Sequence, residues 1–584
     1  MFDKIYRIHP SIGFARLGNA DALDHFVGPT IPESNAADKN YSTQFPDTYK
    51  KDGKIRPQAA LFTIWEYKEK NGKPIREITL DERDVESIGW KVNLANKKAA
   101  FYKFAAYYGR TEPNDQGFRN KGKPDEWTML PGPRTISGKN IGNKDDFRFK
   151  KGTSGDPTKE QWLKDQKPDH QYLGELFTDD KGRLKVIGGK GIGAAVNKKF
   201  KLKETFNNAG WYDDVSDGTV EVSITFKRGK VVNAIPAWVI VAPPDYAPEI
   251  KQIVTLYDYL SLGATIIPGL LKSPMLELYP HLKDIADEFK ANGVFELTTY
   301  KPHFHDDIYP ILLKAFNSKF VHAESYKAHG LVDVYSLISS LNNNDPSLKS
   351  MRQILFKRLR EPYSLGELAE VKKAVKKKKF SFKSVNVLMP LLFGDTFGDE
   401  PNPYLTLTHV QYQVMKRWAD GDFIVTTGPT KVDNPMALDI ASLENATGGA
   451  FYPGTDIGWS IASAKIFSEP FRIDHSADDP YQAKEITGKL APGYFTRQLA
   501  VPWHADFMSC AKDSVTFYGF WPSQRPDDVL VGGSMKPWYR NDKGKFPGSW
   551  DLMVAKWYEL GFVTKNPDTT SSDYYIETER GSIK

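Results

Sequence analysis

The stretch AWVIVAPPDYAPEIKQIVTLYDYLS, residues 237–261, changes period half-way along, and the fold class turns on that change. Residues 237–242 are a run of β-branched and aromatic side chains closed by Pro243 and Pro244, the pattern of a buried strand. From Pro248 the apolar residues Ile250, Ile253, Val254, Tyr257 and Leu260 recur at three- and four-residue spacing, the pattern of an amphipathic helix. The chain before this point reads as sheet, and the chain after it reads first as helix.

Towards the N-terminus, LFTIWEY (61–67), KAAFYKFAAYY (98–108) and TVEVSITF (219–226) carry strand composition between clusters of Gly, Pro, Asn and Asp. No amphipathic helix is expected before Pro248. Lys139 to Gln171 is a polar stretch rich in Gly, Lys and Asp, expected as a surface loop with little structure of its own. RLKVIGGKGIGAA (183–195) satisfies a dinucleotide-binding fingerprint as a string, with Gly189, Gly191 and Ala194. That fingerprint needs a helix next, to aim its N-terminus at a pyrophosphate, and NKKFKLKETF lacks a helical period. A glycine-rich hairpin is the reading preferred.

Towards the C-terminus, HLKDIADEFKANG (281–293), DIYPILLKAF (307–316), DVYSLISSL (333–341), SLKSMRQILF (347–356) and LGELAEVKKAV (365–375) continue the helical spacing, with Asn292 and Gly293 as a stop. Lys376–Lys379 complements a helix C-terminus. HFHDD (303–307) invites a metal reading, but two histidines at i and i+2 need further ligands whose geometry nothing fixes. A polar loop is preferred, and no metal is expected. From about 386 the pattern is mixed. Asp433 and Pro435 read as cap and first turn of ALDIASLENATGG (437–449), FYPGTDIGW (451–459) reads as extended, and SWDLMVAKWYELGFV (549–563) reads as a helix ending near Gly561. The expectation is an α+β protein: a β-rich part with sandwich-like sheets over 1–247, an inserted helical subdomain over 248–385, and a mixed catalytic region over 386–584.

Composition bounds the function. The 584 residues include 79 basic and 73 acidic side chains, a net charge of +6 that offers no basic field for a nucleic acid. No run approaches the length of a membrane span, so no membrane partner is expected. The opening MFDKIYRIHP turns polar at once, unlike a signal peptide. The compartment stays open, cytoplasmic or reached by a non-classical route.

A single cysteine, Cys510, cannot close an internal disulfide. It is a buried bystander, an intermolecular thiol or a reactive group. Asp506 lies four residues earlier, so a helix here would stack carboxylate and sulfur on one face. On an extended strand, alternation would instead place His504, Asp506 and Cys510 on one side. Tryptophans surround the cysteine in sequence: Trp503 before it, Trp521, Trp538, Trp550 and Trp557 after it.

APGYFTRQLAVPWHADFMSC (491–510) followed by FWPSQRPDDV (520–529) resembles the lysine ε-oxidase and glycine oxidase family of quinoproteins. The resemblance extends in order through IHPSIGFARLGNADALDHFVGP (8–29), NNAGWYDDVSDGTVEV (207–222), VAPPDYAPEI (241–250), GGAFYPGTDIGW (448–459) and EPFRIDH (469–475). It implies a self-made cofactor, cysteine tryptophylquinone, built from Cys510 and one tryptophan. Trp538, in a Trp-x-Arg setting similar to the family's, is the partner expected, with Trp557 as runner-up and Trp550 ranked last. Asp506 matches the family's carboxylate before the cysteine and is assigned to cofactor maturation and proton transfer. His504 is a second candidate base. Tyr212 and Asp214, Trp521, and the arginines Arg525 and Arg540 are pocket candidates; either arginine could instead pair with Asp527 or Asp528.

The chemistry the resemblance implies is oxidation of an amino-acid primary amine, glycine or the lysine ε-amine, by O2 through a Schiff base on the quinone. The products are an aldehyde or keto acid, ammonia and hydrogen peroxide. A maturation flavoprotein and a homo-oligomer, dimer or tetramer, are implied with it. Two other readings stand beside it. One is a binding or structural protein that never matures the cofactor; the other is an amine dehydrogenase with a protein electron acceptor.

Overall fold

The computed structural model describes residues 4–581 except 40–45, 69–71, 104–116, 123, 267–273, 293–295, 330–332, 363–387, 392–404, 432–434, 449–456, 462, 481–487, 510–522 and 541–549. Among these, a thirteen-stranded sheet dominates the first 242 residues. Its central pair is Ile12–Arg16 beside Ala237–Ala242, parallel in register from Ile12↔Trp238 to Arg16↔Ala242. Both strands are buried at every position. Burial on both faces is why they read as unbroken apolar runs and not as alternation. Alternation returns at Val85–Ala95, where Val85, Ile88, Trp90, Val92 and Leu94 are buried and Glu86, Ser87 and Lys91 are exposed.

The main sheet is branched. The ten-residue strand Gln58–Tyr67 serves both branches. Its first half pairs Leu184–Gly188, and its second half pairs Ile5–His9 and Pro74–Ile78. The class is α+β. Among the described residues the first α-helix is Leu256–Ile266, eight residues beyond Pro248, and Pro280–Asn292, Tyr309–Asn317 and Lys349–Phe356 come after it as the spacing predicts. Ile338–Leu341 is a single turn. The sequence LGELAEVKKAV, the lysine run 376–379, Asp433 and Gly293 lie outside the described residues.

Three expectations are corrected. Lys139 to Gln171 is not free loop: Arg148–Lys150 pairs with Tyr172–Thr178, and Phe149 and Leu163 are buried anchors inside the polar stretch. His303–Asp307 is not a solvent-facing loop either. Phe304–Ile308 forms a π-helical turn, with Asp307 buried against Tyr300 Oη at 2.9 Å and His281 Nε2 at 3.1 Å. Of the extended reading over 451–459, residues 451–456 lie outside the described residues, and Gly458 and Trp459 instead begin the helical turn Gly458–Ile461. Among the described residues Ala323–His329 has no counterpart among the sequence expectations, and neither has the longer helix His409–Asp420. Its signals are local: a capping box between Thr408 and Gln411 and a left-handed Gly421 (φ +87°) at its end.

The helix Met436–Glu444 packs on the central strands. Buried Asp439 sits 2.9 Å from His9 Nδ1 and accepts from Ser11 N (2.6 Å) and Tyr279 Oη (2.8 Å). Arg7 reaches Glu469 at 3.0 Å, and Arg472 donates to the Ile8 carbonyl. These bonds lock the first two strands of the chain to its last third. Among the described residues no helix is long and apolar enough to cross a membrane.

Candidate active site

The segment leading to the cysteine is laid down by two buried groups. Asp217, at the start of the Ser216–Phe226 strand, accepts from Thr496 N (2.8 Å), Thr496 Oγ1 (2.6 Å), Gly493 N (3.2 Å) and Trp238 Nε1 (3.0 Å). Arg119 donates to the carbonyls of Lys98 (2.9 Å) and Gln498 (2.9 Å). Val501 then bonds Phe206, and the chain enters a helix, Trp503–Ser509. Five residues from Trp503 to Phe507 are buried; Met508 is half-buried and Ser509 exposed, so the helix runs outward toward position 510. Cys510 and Trp521 lie outside the described residues.

Helix starts leave backbone donors unsatisfied. Here Asp213 Oδ2 accepts from Trp503 N at 2.9 Å and from Lys98 Nζ at 2.5 Å, with both side chains fully buried. Asn96 Nδ2 holds Asp213 from the other side, through its carbonyl at 2.8 Å. Asp506 belongs to the first turn of the same helix and is completely buried. Because the segment is helical, the strand alternation considered for His504 and Asp506 does not hold. Two residues apart on a helix they diverge by about 200°.

His504 instead faces the glycine loop 188–193. A Cβ at Gly193 would stand 2.6 Å from His504 Nδ1, one at Gly191 2.2 Å from Trp557 Cζ2, and one at Gly189 2.5 Å from Asp214 Oδ2. The glycines of the dinucleotide-like string therefore form a close-packed wall of this site. They link strand Leu184–Gly188 in the main sheet to Gly193–Ala195, which pairs with Trp211–Asp213, so the preferred hairpin is corrected to a crossover between two sheets. Burial holds His504 well below the usual histidine range. Burial also pushes the Asp214 carboxyl up to about 7, against the pull of the Ile192 and Lys190 amides. Tyr212 is buried and lies 2.7 Å from His170 Nδ1 through its hydroxyl.

Trp538 forms another wall and is wholly buried. Its Nε1 donates to the Gly561 carbonyl at 2.8 Å, Tyr246 meets it edge-on at 4.7 Å, and the Arg525 guanidinium carbon lies 5.3 Å from its ring. Arg525 also donates to the Phe507 carbonyl on the site helix and pairs with Asp527 at 2.9 Å. Arg540 pairs with Glu577, not with Asp527 or Asp528. The helix Trp550–Lys556 runs beside the site helix. Trp550 Nε1 donates to Ser509 Oγ at 2.6 Å, while Trp557 meets Trp503 at 5.5 Å. Trp557 is thus at the start of the site helix, and Trp550, ranked last from sequence, is at its end. Two small pockets open beside residues 28–34, and none of the described sequence-predicted site residues lines either.

A family model described as L-lysine epsilon oxidase N-terminal matches residues 9–241, and one described as L-lysine epsilon oxidase C-terminal domain matches residues 390–527. The chain belongs to the lysine ε-oxidase family. It is 28% identical over 563 residues to L-lysine 6-oxidase of Marinomonas mediterranea, covering 87% of this chain and 72% of that protein. The fold is similar to that of the Schiff base intermediate of L-Lys ε-oxidase from Marinomonas mediterranea with L-Lys. That likeness has a TM-score of 0.76 and 23% identity, over 98% of this chain and 95% of that one. A second structure, ε-lysine oxidase of the same organism, matches with a TM-score of 0.75 and 22% identity over the same shares. Membership in this family makes the chain an oxidoreductase, an amino-acid oxidase. The interval between the two matched stretches, 242–389, holds most of the helices that the period change at Pro248 announces.

Proposed function

We propose that this oxidase deaminates the primary amine of an amino acid, the lysine ε-amine or glycine, with O2 and water, giving an aldehyde or keto acid, ammonia and hydrogen peroxide. The cofactor proposed is cysteine tryptophylquinone, joined from Cys510 and Trp538. The observation that carries the reading is the buried Asp506 on the short helix that leads directly to the cysteine, with tryptophans packed along that helix. The residues present fit such a group. The Trp538 ring is shielded from water, its N–H is engaged by Gly561, and the Arg525 cation stands over it. Once formed, the quinone supplies an electrophilic carbonyl and a two-electron acceptor, which unmodified side chains lack.

The chain's own residues supply the rest. Asp506 is placed to take protons, first during maturation and then from the substrate carbon. His504, held neutral by burial, is a second acceptor on the glycine-loop side. Arg525 ties the tryptophan wall to the helix carrying Asp506. One observation favours a second partner for the sulfur: Trp550 bonds Ser509, the residue next to Cys510 in sequence. Protein matured with its flavoprotein partner should consume O2 and release ammonia with lysine or glycine. Asp506→Ala should lower kcat by about 10²-fold or more, the usual scale for a lost general base. Wild-type kcat in that variant would remove Asp506 from the chemistry.

A further inference from the structure

Lys98 is among the most deeply enclosed cations in the protein: its side chain has no solvent exposure, and Asp213 is 2.5 Å away. Burial of an ammonium without compensation is costly, so a lysine retained here needs its charge matched. Asp213 supplies one negative charge but shares the same oxygen with the Trp503 amide. Asp506, in the first turn above that amide, supplies a second; its charge, like that of Asp213, raises the proton affinity that burial lowers on Lys98. The same ammonium acts on His504, whose protonation it opposes. Arg119, which also bonds the Lys98 carbonyl, is the other cation near the group, and Asp214 stands next to Asp213 in the chain.

We infer that Lys98 is a positioning residue for the oxidase reaction: bonded to Asp213, which holds the first amide of the site helix, it sets a buried positive charge beside the turn that carries Asp506. This rests on the reading of Asp506 as the site's proton acceptor. Lys98 comes from the segment following strand Val85–Ala95, and Asp213 from the strand Trp211–Asp213 beside the glycine loop. The N-terminal sheet thereby brings a cation to a helix about 400 positions later (98 against 506).

The test uses full-length protein matured with its flavoprotein, in the variants Lys98→Arg, Lys98→Gln, Asp213→Asn and Asp506→Asn. It reads the linked-peptide mass and the pH dependence of kcat/KM. Lys98→Arg keeps the cation and should keep the wild-type acid limb. Lys98→Gln should move that limb up by about a unit or more, the scale of losing one adjacent opposite charge, or should fold without forming the link. Asp213→Asn leaves the ammonium to Asp506 alone and should move the limb down, a sign that a purely structural role does not produce. A linked, folded Lys98→Gln protein with the Lys98→Arg profile overturns the inference. Where Lys98→Gln does not accumulate, an unchanged or upward limb in Asp213→Asn overturns it. Full activity in Asp506→Asn means the reading of Asp506 itself has failed; loss of activity there beside an unmoved Lys98→Gln limb means that only the role of Lys98 has failed.

Discussion

At the residue scale the site is a set of buried charges with few partners each. Asp214 is the clearest case. Its carboxyl titrates near 7 in the folded chain because burial disfavours the anion, whereas an unfolded aspartate titrates near 3.9. Between about pH 4 and pH 7 the folded state therefore binds the extra proton, and stability falls as pH rises across that window. Asp214→Asn removes this dependence. The variant's stability relative to wild type should rise from pH 5 to pH 8 by up to a few kcal/mol, read from urea unfolding at both values. A difference independent of pH would contradict the buried, protonated assignment. Some of these residues are legible in the sequence and some are not. Asp506 is proposed from its spacing from the lone cysteine, and Trp538 from a Trp-x-Arg setting similar to the family's. Lys98 and Asp213 are not, because pairing across 115 residues leaves no local trace. His504 is found for the wrong reason, since its segment is a helix and not a strand.

At the scale of elements, the glycine loop is the part most easily misread. As a string it looks built to receive a phosphate. In the fold its glycines let one backbone run under Asp214, Trp557 and His504, and the close approach is invisible without those distant partners. Gly191 also sits at φ +73°, which a side chain adopts at a cost. Gly191→Ala combines that strain with a 2.2 Å clash on Trp557 and should destabilise the protein by about 1–3 kcal/mol or more, measured by thermal or urea unfolding. A stability equal to wild type would mean the loop has room to shift. Elements with strong local signals are recovered from sequence alone. Pro280–Asn292 and Tyr309–Asn317 follow their apolar stripes, and Ala237–Ala242 follows its composition. The structured Arg148–Lys150 hairpin is hidden in the sequence because only Phe149 and Leu163 anchor a stretch that is otherwise polar.

For the whole molecule, one buried apolar cluster runs from Tyr6 to Val563, so the sheet and the site segment share a core. Asp439 is the polar counterpart of that union, holding the link between the first two strands and Tyr279 to the helix Met436–Glu444. Asp439→Ala strands three buried partners and should cost about 3–5 kcal/mol, with a lowered unfolding midpoint and no new intermediate. Loss of under 1 kcal/mol would show that the two ends of the chain are not joined there.

The central claim is that a tryptophan of this core is joined to Cys510, and peptide mass tests it most directly. Trypsin leaves Cys510 in residues 498–512, Trp538 with Trp521 in 513–540, and Trp550 in 546–556. On protein matured with the proposed flavoprotein, peptide 498–512 should be linked to 513–540, gaining two oxygens and losing four hydrogens, with fragmentation placing the oxygens on Trp538. A link to 546–556 would move the cofactor to Trp550. Unlinked, unmodified peptides from folded, matured protein would contradict the account.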